Sequence, residues 1–461
     1  MFLNQKEGGD GYFKRTTRLK KLFWLYFLLL IFEGALRKWV VPQLSAPLLV
    51  IRDPVGLLII WEAYRTGKWP DKWTVLIMFL TVGLIGLFLV QVIVGNNLLL
   101  VGLYGLRSYL LPFPVALIMG ENLDQEDLRR LGTWTLFLLL PNTALAVAQY
   151  ASPANSFINN GAYEGAKQIS YVGLGVRASG TFSFANGLEE FVAMAGAFIV
   201  YGFVTPGFAK KWLLWASAFA LILSVPMMGS RTVVYELAMM FGCMGLGSLM
   251  GLSQFKKVLR IVVPVLIVAF LVSLLPVFSN AMDSMTNRFT GATAIEGGGS
   301  VERAVSNRML RPVVETLGES SSAGGSIGIG MGRGAVAVQE FLHGSNEAVA
   351  GEGEFLRETG EMGLIAGIGY SMFKVLLAIA MIVAAIARVR KNESLALLLI
   401  PLAVTLLFIG VPEQPVWQGF MVLSMALCIA AAKAPAQAAL RNHPTAVQRQ
   451  QMLYRRRVLR R

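Results

Sequence analysis

Histidine and cysteine are nearly absent from the 461-residue chain, with two of each. His343 and His443 are far apart, and no Asp-x-Asp or His-x-x-x-His cluster accompanies either. The sequence therefore offers no metal-ligand spacing. Cys243 and Cys428 both sit in apolar runs and are too few for a disulfide framework. A Walker motif and a G-x-S-x-G elbow are missing too, which leaves no signal for nucleotide-driven or serine-nucleophile chemistry. Charge is scarce: Asp, Glu, Lys and Arg make up 15% of the chain against 55% hydrophobic residues, and mean hydropathy is +0.60. Those proportions exclude a disordered chain, a coiled coil and a water-soluble enzyme. Acids are the scarcer sign, 27 against 41 bases, for a net charge of +14. The basic excess is spread over short segments between apolar runs, which argues against nucleic acid as a partner.

The apolar runs are what the chain has in abundance. A bilayer core takes about 20 apolar residues per helix. Twelve runs meet that length to within a few residues: 22–41, 46–64, 74–95, 97–120, 131–152, 184–204, 212–229, 232–251, 258–277, 362–387, 394–411 and 416–433. The expected fold is an all-α polytopic membrane protein of about 12 transmembrane helices. Residues 1–277 would hold helices one to nine, with a short loop at 153–183. Residues 278–361 would form a large loop between helices nine and ten, 362–433 helices ten to twelve, and 434–461 a basic tail. The first run lacks the small-residue cleavage site of a signal peptide.

Basic residues orient these spans. With the N-terminus inside, every cytoplasmic segment is basic, and together they collect 27 of the 41 lysines and arginines. This follows the positive-inside rule at all seven places and predicts a bacterial inner-membrane protein with both termini cytoplasmic. The tail, ending Tyr454-Arg455-Arg456-Arg457-Val458-Leu459-Arg460-Arg461, is suited to anionic lipid headgroups. The large loop then faces the periplasm, and a structureless stretch of that length in a compact protein is functional or disordered.

Several charges fall inside apolar runs, where each costs about 2.5–3.5 kcal/mol on insertion scales and persists only if paired or functional. Glu33 and Arg37 stand four apart and Arg52 stands beside Asp53, both spacings suited to local ion pairs. Arg107 has no neighbouring acid and needs a partner from another helix or a ligand anion. Arg177 precedes the sixth run in a segment rich in Ser, Thr and Asn. A guanidinium ahead of a helix N-terminus can hold a phosphate. Arg303, Arg308 and Arg311 cluster in the large loop, the last two on one face of a helix; such arginines can equally form a solvated face.

Four short segments, in order, resemble the O-antigen ligase and Wzy-type polymerase superfamily. They are Arg-x-x-Gly-Thr-Phe followed by Asn, here Arg177 to Asn186; Gly229-Ser230-Arg231-Thr232 at a helix end; Asn307-Arg308 upstream of Gly328-Ile329-Gly330-Met331-Gly332; and Leu356 followed by Gly363 and Gly367. The likeness covers roughly residues 170–390. One departure is clear: Glu352 and Gly353 stand where the family has His-Asn.

The resemblance implies a GT-C type glycosyltransferase that needs neither metal nor cofactor. It would move a glycan from undecaprenyl diphosphate to an acceptor sugar hydroxyl at the periplasmic face. Arg177, Arg308, Arg311, Arg303 and Arg231 would bind the diphosphate. Glu352 or Glu354, with Arg308, would act at the reacting centre, unless His343 takes the place of the missing histidine. A polymerase of lipid-linked repeats of O-antigen, capsule or exopolysaccharide is the leading expectation. An O-antigen ligase acting on lipid A-core is the alternative, and a secondary transporter or lipid-linked glycan flippase is the rival from another class. Expected partners are the lipid-linked oligosaccharide, the acceptor glycan, membrane lipid and a chain-length regulator.

Overall fold

A computed structural model describes residues 5–162, 167, 168, 170, 171, 175–253, 270, 279, 281–283, 285–287, 327–335 and 354–433, with side chains from Arg18 onward except at 170, 171 and 175. Most of the ninth apolar run, the basic tail and most of the large loop lie outside them. So do Arg303, Arg308, Arg311, His343 and Glu352.

The described residues are almost wholly helical. In order, the helices are α1 (Gln5–Ala35), α2 (Ser45–Leu49), α3 (Arg52–Arg65), α4 (Thr74–Ile93), α5 (Leu99–Leu110), α6 (Pro112–Asn122), α7 (Gln125–Ala151), α8 (Ala185–Val204), α9 (Lys211–Met228), α10 (Arg231–Leu249), α11 (Glu354–Met362), α12 (Leu364–Val389), α13 (Leu395–Phe408) and α14 (Pro415–Lys433). A two-residue antiparallel hairpin, β1 (Ser170–Tyr171) with β2 (Gly175–Val176), sits in the 153–183 connection. Among the described residues nine helical segments are long and apolar enough to cross a membrane. They fall on the second to eighth, tenth and twelfth apolar runs. α1 is not among them, because Lys20, Lys21 and Glu33 confine its uncharged stretch to Leu22–Phe32. α13, at 14 residues, is shorter than any of these nine segments.

Local chemistry sets several boundaries. α7 starts at a capping box in which the Asp127 N–H donates to the Asp124 side chain at 2.9 Å and the Asp124 N–H donates to Asp127 at 3.1 Å. The fourth apolar run is divided at Leu111, where Pro112 and Pro114 lack backbone N–H donors. α1 ends in a π-turn, Leu36–Val40, which carries Arg37 and Lys38 inward.

The main hydrophobic core is a continuous cluster centred on α8 and α14, with 89% of the apolar stretch of each buried against protein, and a small second cluster joins Val101 to Ala335. α14 packs most extensively on α6 and α13, close enough that a Cβ on Gly120 would stand 2.7 Å from Ile429. α4 and α10 are peripheral, with 28% buried. The bare face of α4 carries Val75, Phe79, Val82 and Ile93, each at least 70% exposed. A contiguous apolar face of this kind is untenable in water and suited to lipid.

Polar side chains gather at the two ends of the bundle. One end holds Lys20 with Asp124 and Asp127, and Lys72 and Lys433 with Glu121. The other holds Glu33, Arg37, Lys38, Arg52, Asp53, Arg107, Arg177, Arg357 and the glycine-rich segment 327–335.

Candidate functional site

The segment Arg177–Ser183 is the best-anchored loop at the second end. Its backbone lies against α1 at Gly34, where an added Cβ would stand 2.5 Å from the Thr181 carbonyl and still closer to the Ser183 nitrogen. Only glycine permits that approach. Gln149 near the end of α7 accepts from the N–H groups of Ser179 (3.1 Å) and Gly180 (2.8 Å). Asn142 accepts from the N–H (3.1 Å) and hydroxyl (2.9 Å) of Thr181. Lys38 donates to the Ser179 hydroxyl at 2.5 Å and to the Gly180 carbonyl at 3.1 Å, and Arg37 donates to the Ser183 hydroxyl at 3.0 Å. Gly-Thr-Phe in this stretch therefore has a structural cause: Gly180 has φ +57°, Thr181 saturates Asn142, and Phe182 is buried against Phe191 and Phe420.

Arg177 leaves this loop toward a cavity of about 420 Å³. The cavity is bounded by Lys167 and Gln168, the first turns of α8, Thr232 at the start of α10, the end of α13, and Gln414 and Trp417. Arg177 forms an ion pair with Glu189 of α8, and Asn186 donates to Gln414 at 3.0 Å. Several atoms here have no hydrogen-bond partner among the described residues: Arg177 Nε, Asn186 Oδ1, both side-chain polar atoms of Gln168, Trp417 Nε1 and Glu190 Oε2. A cavity edged by unspent donors and acceptors next to a guanidinium can receive a polar, anionic ligand.

A buried ionic network adjoins it. Glu33 pairs with Arg37 at 3.2 Å, as the four-residue spacing predicts, and also with Arg52 at 3.3 Å. The expected pairing of Arg52 with adjacent Asp53 is corrected here. Arg52 turns to Glu33 and donates to the Pro415 carbonyl, whereas Asp53 takes Arg107, the residue for which sequence gave no partner. Neighbours at i,i+1 on a helix diverge in direction, so adjacency in sequence is not adjacency in space.

The third assembly is built on the Gly-x-Gly-x-Gly stretch. Gly328, Gly330 and Gly332 all have positive φ, at +72°, +124° and +86°, which explains glycine at every second position. Gln91 and Asn97 donate to the carbonyls of Ile327 (2.7 Å) and Met331 (2.9 Å). Glu361 accepts from the N–H groups of Gly332 (2.6 Å) and Gly334 (2.8 Å) and from the Tyr109 hydroxyl (3.0 Å). Beside it Arg357 pairs with Glu354 and, at 3.2 Å, with Glu413. Burial pushes the carboxyls of Glu361 and Glu413 up; the Gly332 and Gly334 N–H groups oppose this at Glu361, while the neighbouring Glu361 carboxyl adds to it at Glu413. Burial works against the Arg357 guanidinium, but Glu354 and Glu413 outweigh it and hold it firmly charged.

Of the residues singled out by sequence, Arg177 lines the cavity. Arg231 begins α10 directly before the lining Thr232. Glu354 is buried in the Arg357–Glu413 assembly and does not line the cavity. Arg303, Arg308, Arg311, Glu352 and His343 lie outside the described residues. Sequence reasoning missed Asn142, Gln149, Glu190 and Gln414. Polar residues inside apolar runs were the available signal, but nothing in sequence tells which of them face one another. Among the described residues no group of three or more His, Cys, Asp or Glu side chains could hold a metal ion. No family model matches the chain, and no curated protein matches it significantly.

Proposed function

We propose that the protein is a polymerase of lipid-linked polysaccharide repeats, transferring a glycan from undecaprenyl diphosphate to an acceptor sugar hydroxyl at the periplasmic face of the bacterial inner membrane. Twelve spans, cytoplasmic termini and the large periplasmic loop belong to the same proposal. The observation that carries it is Arg177: a guanidinium on an anchored loop, with a spare Nε donor, at a cavity lined by amides, two carboxyl groups and an indole. In such a displacement charge develops on the departing diphosphate, and fixed cations can stabilise it where other enzymes use a metal. The amides and the indole suit sugar hydroxyls. Arg308, Arg311, Arg303 and Arg231 complete the diphosphate clamp in this reading.

The burial of Glu354 against Arg357 favours a supporting role for it over proton transfer. The test is complementation of a deletion strain with wild type, Arg177→Ala or Arg308→Ala, with polysaccharide resolved by size beside a lipid A-core probe. Single-repeat product from both variants at normal protein levels supports the polymerase. Full-length polymer that stays on undecaprenyl diphosphate, leaving lipid A-core bare, indicates a ligase. Unchanged polymer in both overturns the clamp and favours transport.

A further inference from the structure

Most outer-end carboxylates of the described residues are held by a cation or by backbone N–H groups. Glu33 holds Arg37 and Arg52, Asp53 holds Arg107, and Glu189 holds Arg177. Glu354 and Glu413 share Arg357, Glu358 holds Lys374, and Glu361 accepts two backbone N–H groups and a phenol. Glu190 and Glu236 make no such contact. Glu190 Oε2 and both oxygens of Glu236 lack a hydrogen-bond partner among the described residues. The two differ in place: Glu190 lines the cavity shared with Arg177, whereas Glu236 does not. Glu190 is 2% exposed and lies in the wall of the cavity, so its carboxyl is withdrawn from bulk solvent. A buried carboxyl at membrane depth with no ion-pair partner among the described residues is expensive and marks a candidate functional group.

We infer that Glu190 receives the acceptor sugar's hydroxyl and takes its proton during transfer. This inference rests on the glycosyl-transfer reading. The two adjacent glutamates divide the work. Glu189 holds the guanidinium that meets the diphosphate, and Glu190, one residue on, faces the same cavity without a cation of its own. In the step, the acceptor oxygen forms a bond to the anomeric carbon of the donor. The bond from that carbon to the diphosphate oxygen breaks, and its electron pair leaves with the lipid diphosphate. The hydroxyl proton passes to the Glu190 carboxylate, which later releases it to water. Arg177 and Lys167 from the 153–183 connection and Glu189 from its own helix share the cavity lining with Glu190, and the charges that act on it directly are Glu189 and Glu236 of α10.

The test uses the full-length protein in lipid nanodiscs, with lipid-linked oligosaccharide extracted from the deletion strain as donor and acceptor. Glu190→Gln is expected to slow transfer by about 10²–10⁴-fold, the range for loss of a general base, while binding of labelled donor stays within about threefold of wild type. Glu190→Asp should retain measurable transfer, and formate should raise the rate of Glu190→Ala. Rates are taken per folded molecule, so a loss of folded yield does not mask the result. Transfer by Glu190→Gln near the wild-type rate while Arg177→Ala is inactive overturns the role of Glu190 and leaves the glycosyltransferase reading standing. So does Glu190→Asp no better than Glu190→Gln together with no effect of formate. Wild-type protein that transfers nothing from this donor overturns both.

Discussion

Asp53 and Arg107, 54 residues apart in sequence, meet in a two-point ion pair, Nε to Oδ2 at 2.5 Å and Nη2 to Oδ1 at 3.0 Å. Arg107 also donates to Gln418 at 3.0 Å and lies 5.0 Å from the centroid of the Tyr104 ring. One pair thereby ties α3, α5 and α14 together beneath the cavity end of the bundle. Asp53→Asn leaves a largely buried guanidinium without its counter-charge, and breaking such a pair costs about 3–5 kcal/mol. A lowered unfolding midpoint in detergent is expected. Asp53→Leu combined with Arg107→Met should recover much of that loss, because two matched apolar residues remove both buried charges. A single variant as stable as wild type would show that the pair contributes nothing.

Glu361 fastens the glycine-rich segment to α5 and α11. Its two oxygens accept from different backbone N–H groups, Gly332 at Oε2 and Gly334 at Oε1. Glutamine at this position must turn an NH2 toward one of those N–H groups. The cost is about 1–3 kcal/mol for the donor left unmet, concentrated locally. Glu361→Gln should accelerate amide hydrogen exchange in 327–335 with little change in α8 or α14. Uniform protection in wild type and variant would refute the anchoring role.

Glu358 supplies a pH dependence. Burial lifts its carboxyl to about 7 from an ordinary 4.5, against the pull of Lys374. The raised value means the folded protein keeps a proton that the unfolded chain has already lost. Its stabilising contribution is complete below about 4.5 and is lost as pH rises through about 7. The unfolding temperature of wild type relative to Glu358→Gln should therefore fall between those limits and level off above them. Parallel pH profiles for the two proteins would contradict this.

How much of this was legible in the sequence depends on the kind of contact. Nine of the spans were, because apolar length is a property of one segment: Thr74–Ile93, Ala185–Val204 and Pro415–Lys433 fall within a few residues of the runs at 74–95, 184–204 and 416–433. The Glu33–Arg37 pair was too, being a matter of helical spacing. Arg52 with Glu33 and Asp53 with Arg107 were not, since they depend on how helices rotate against each other. The Arg177 motif pointed to a loop before a helix, and that loop now leads to a cavity. Its neighbour Glu190 looked like one more acid in Leu188-Glu189-Glu190-Phe191; only the packing shows that one glutamate is paired and the next is not.

The most direct measurement of the central claim is the release of lipid diphosphate by purified protein in proteoliposomes supplied with lipid-linked oligosaccharide and excess chelator. The account predicts one undecaprenyl diphosphate freed for each glycosidic bond formed, a ladder of products differing by one repeat, and loss of both in Arg177→Ala. Lipid-linked oligosaccharide that crosses the bilayer with its diphosphate bond intact, at the same rate in wild type and Arg177→Ala, would contradict it.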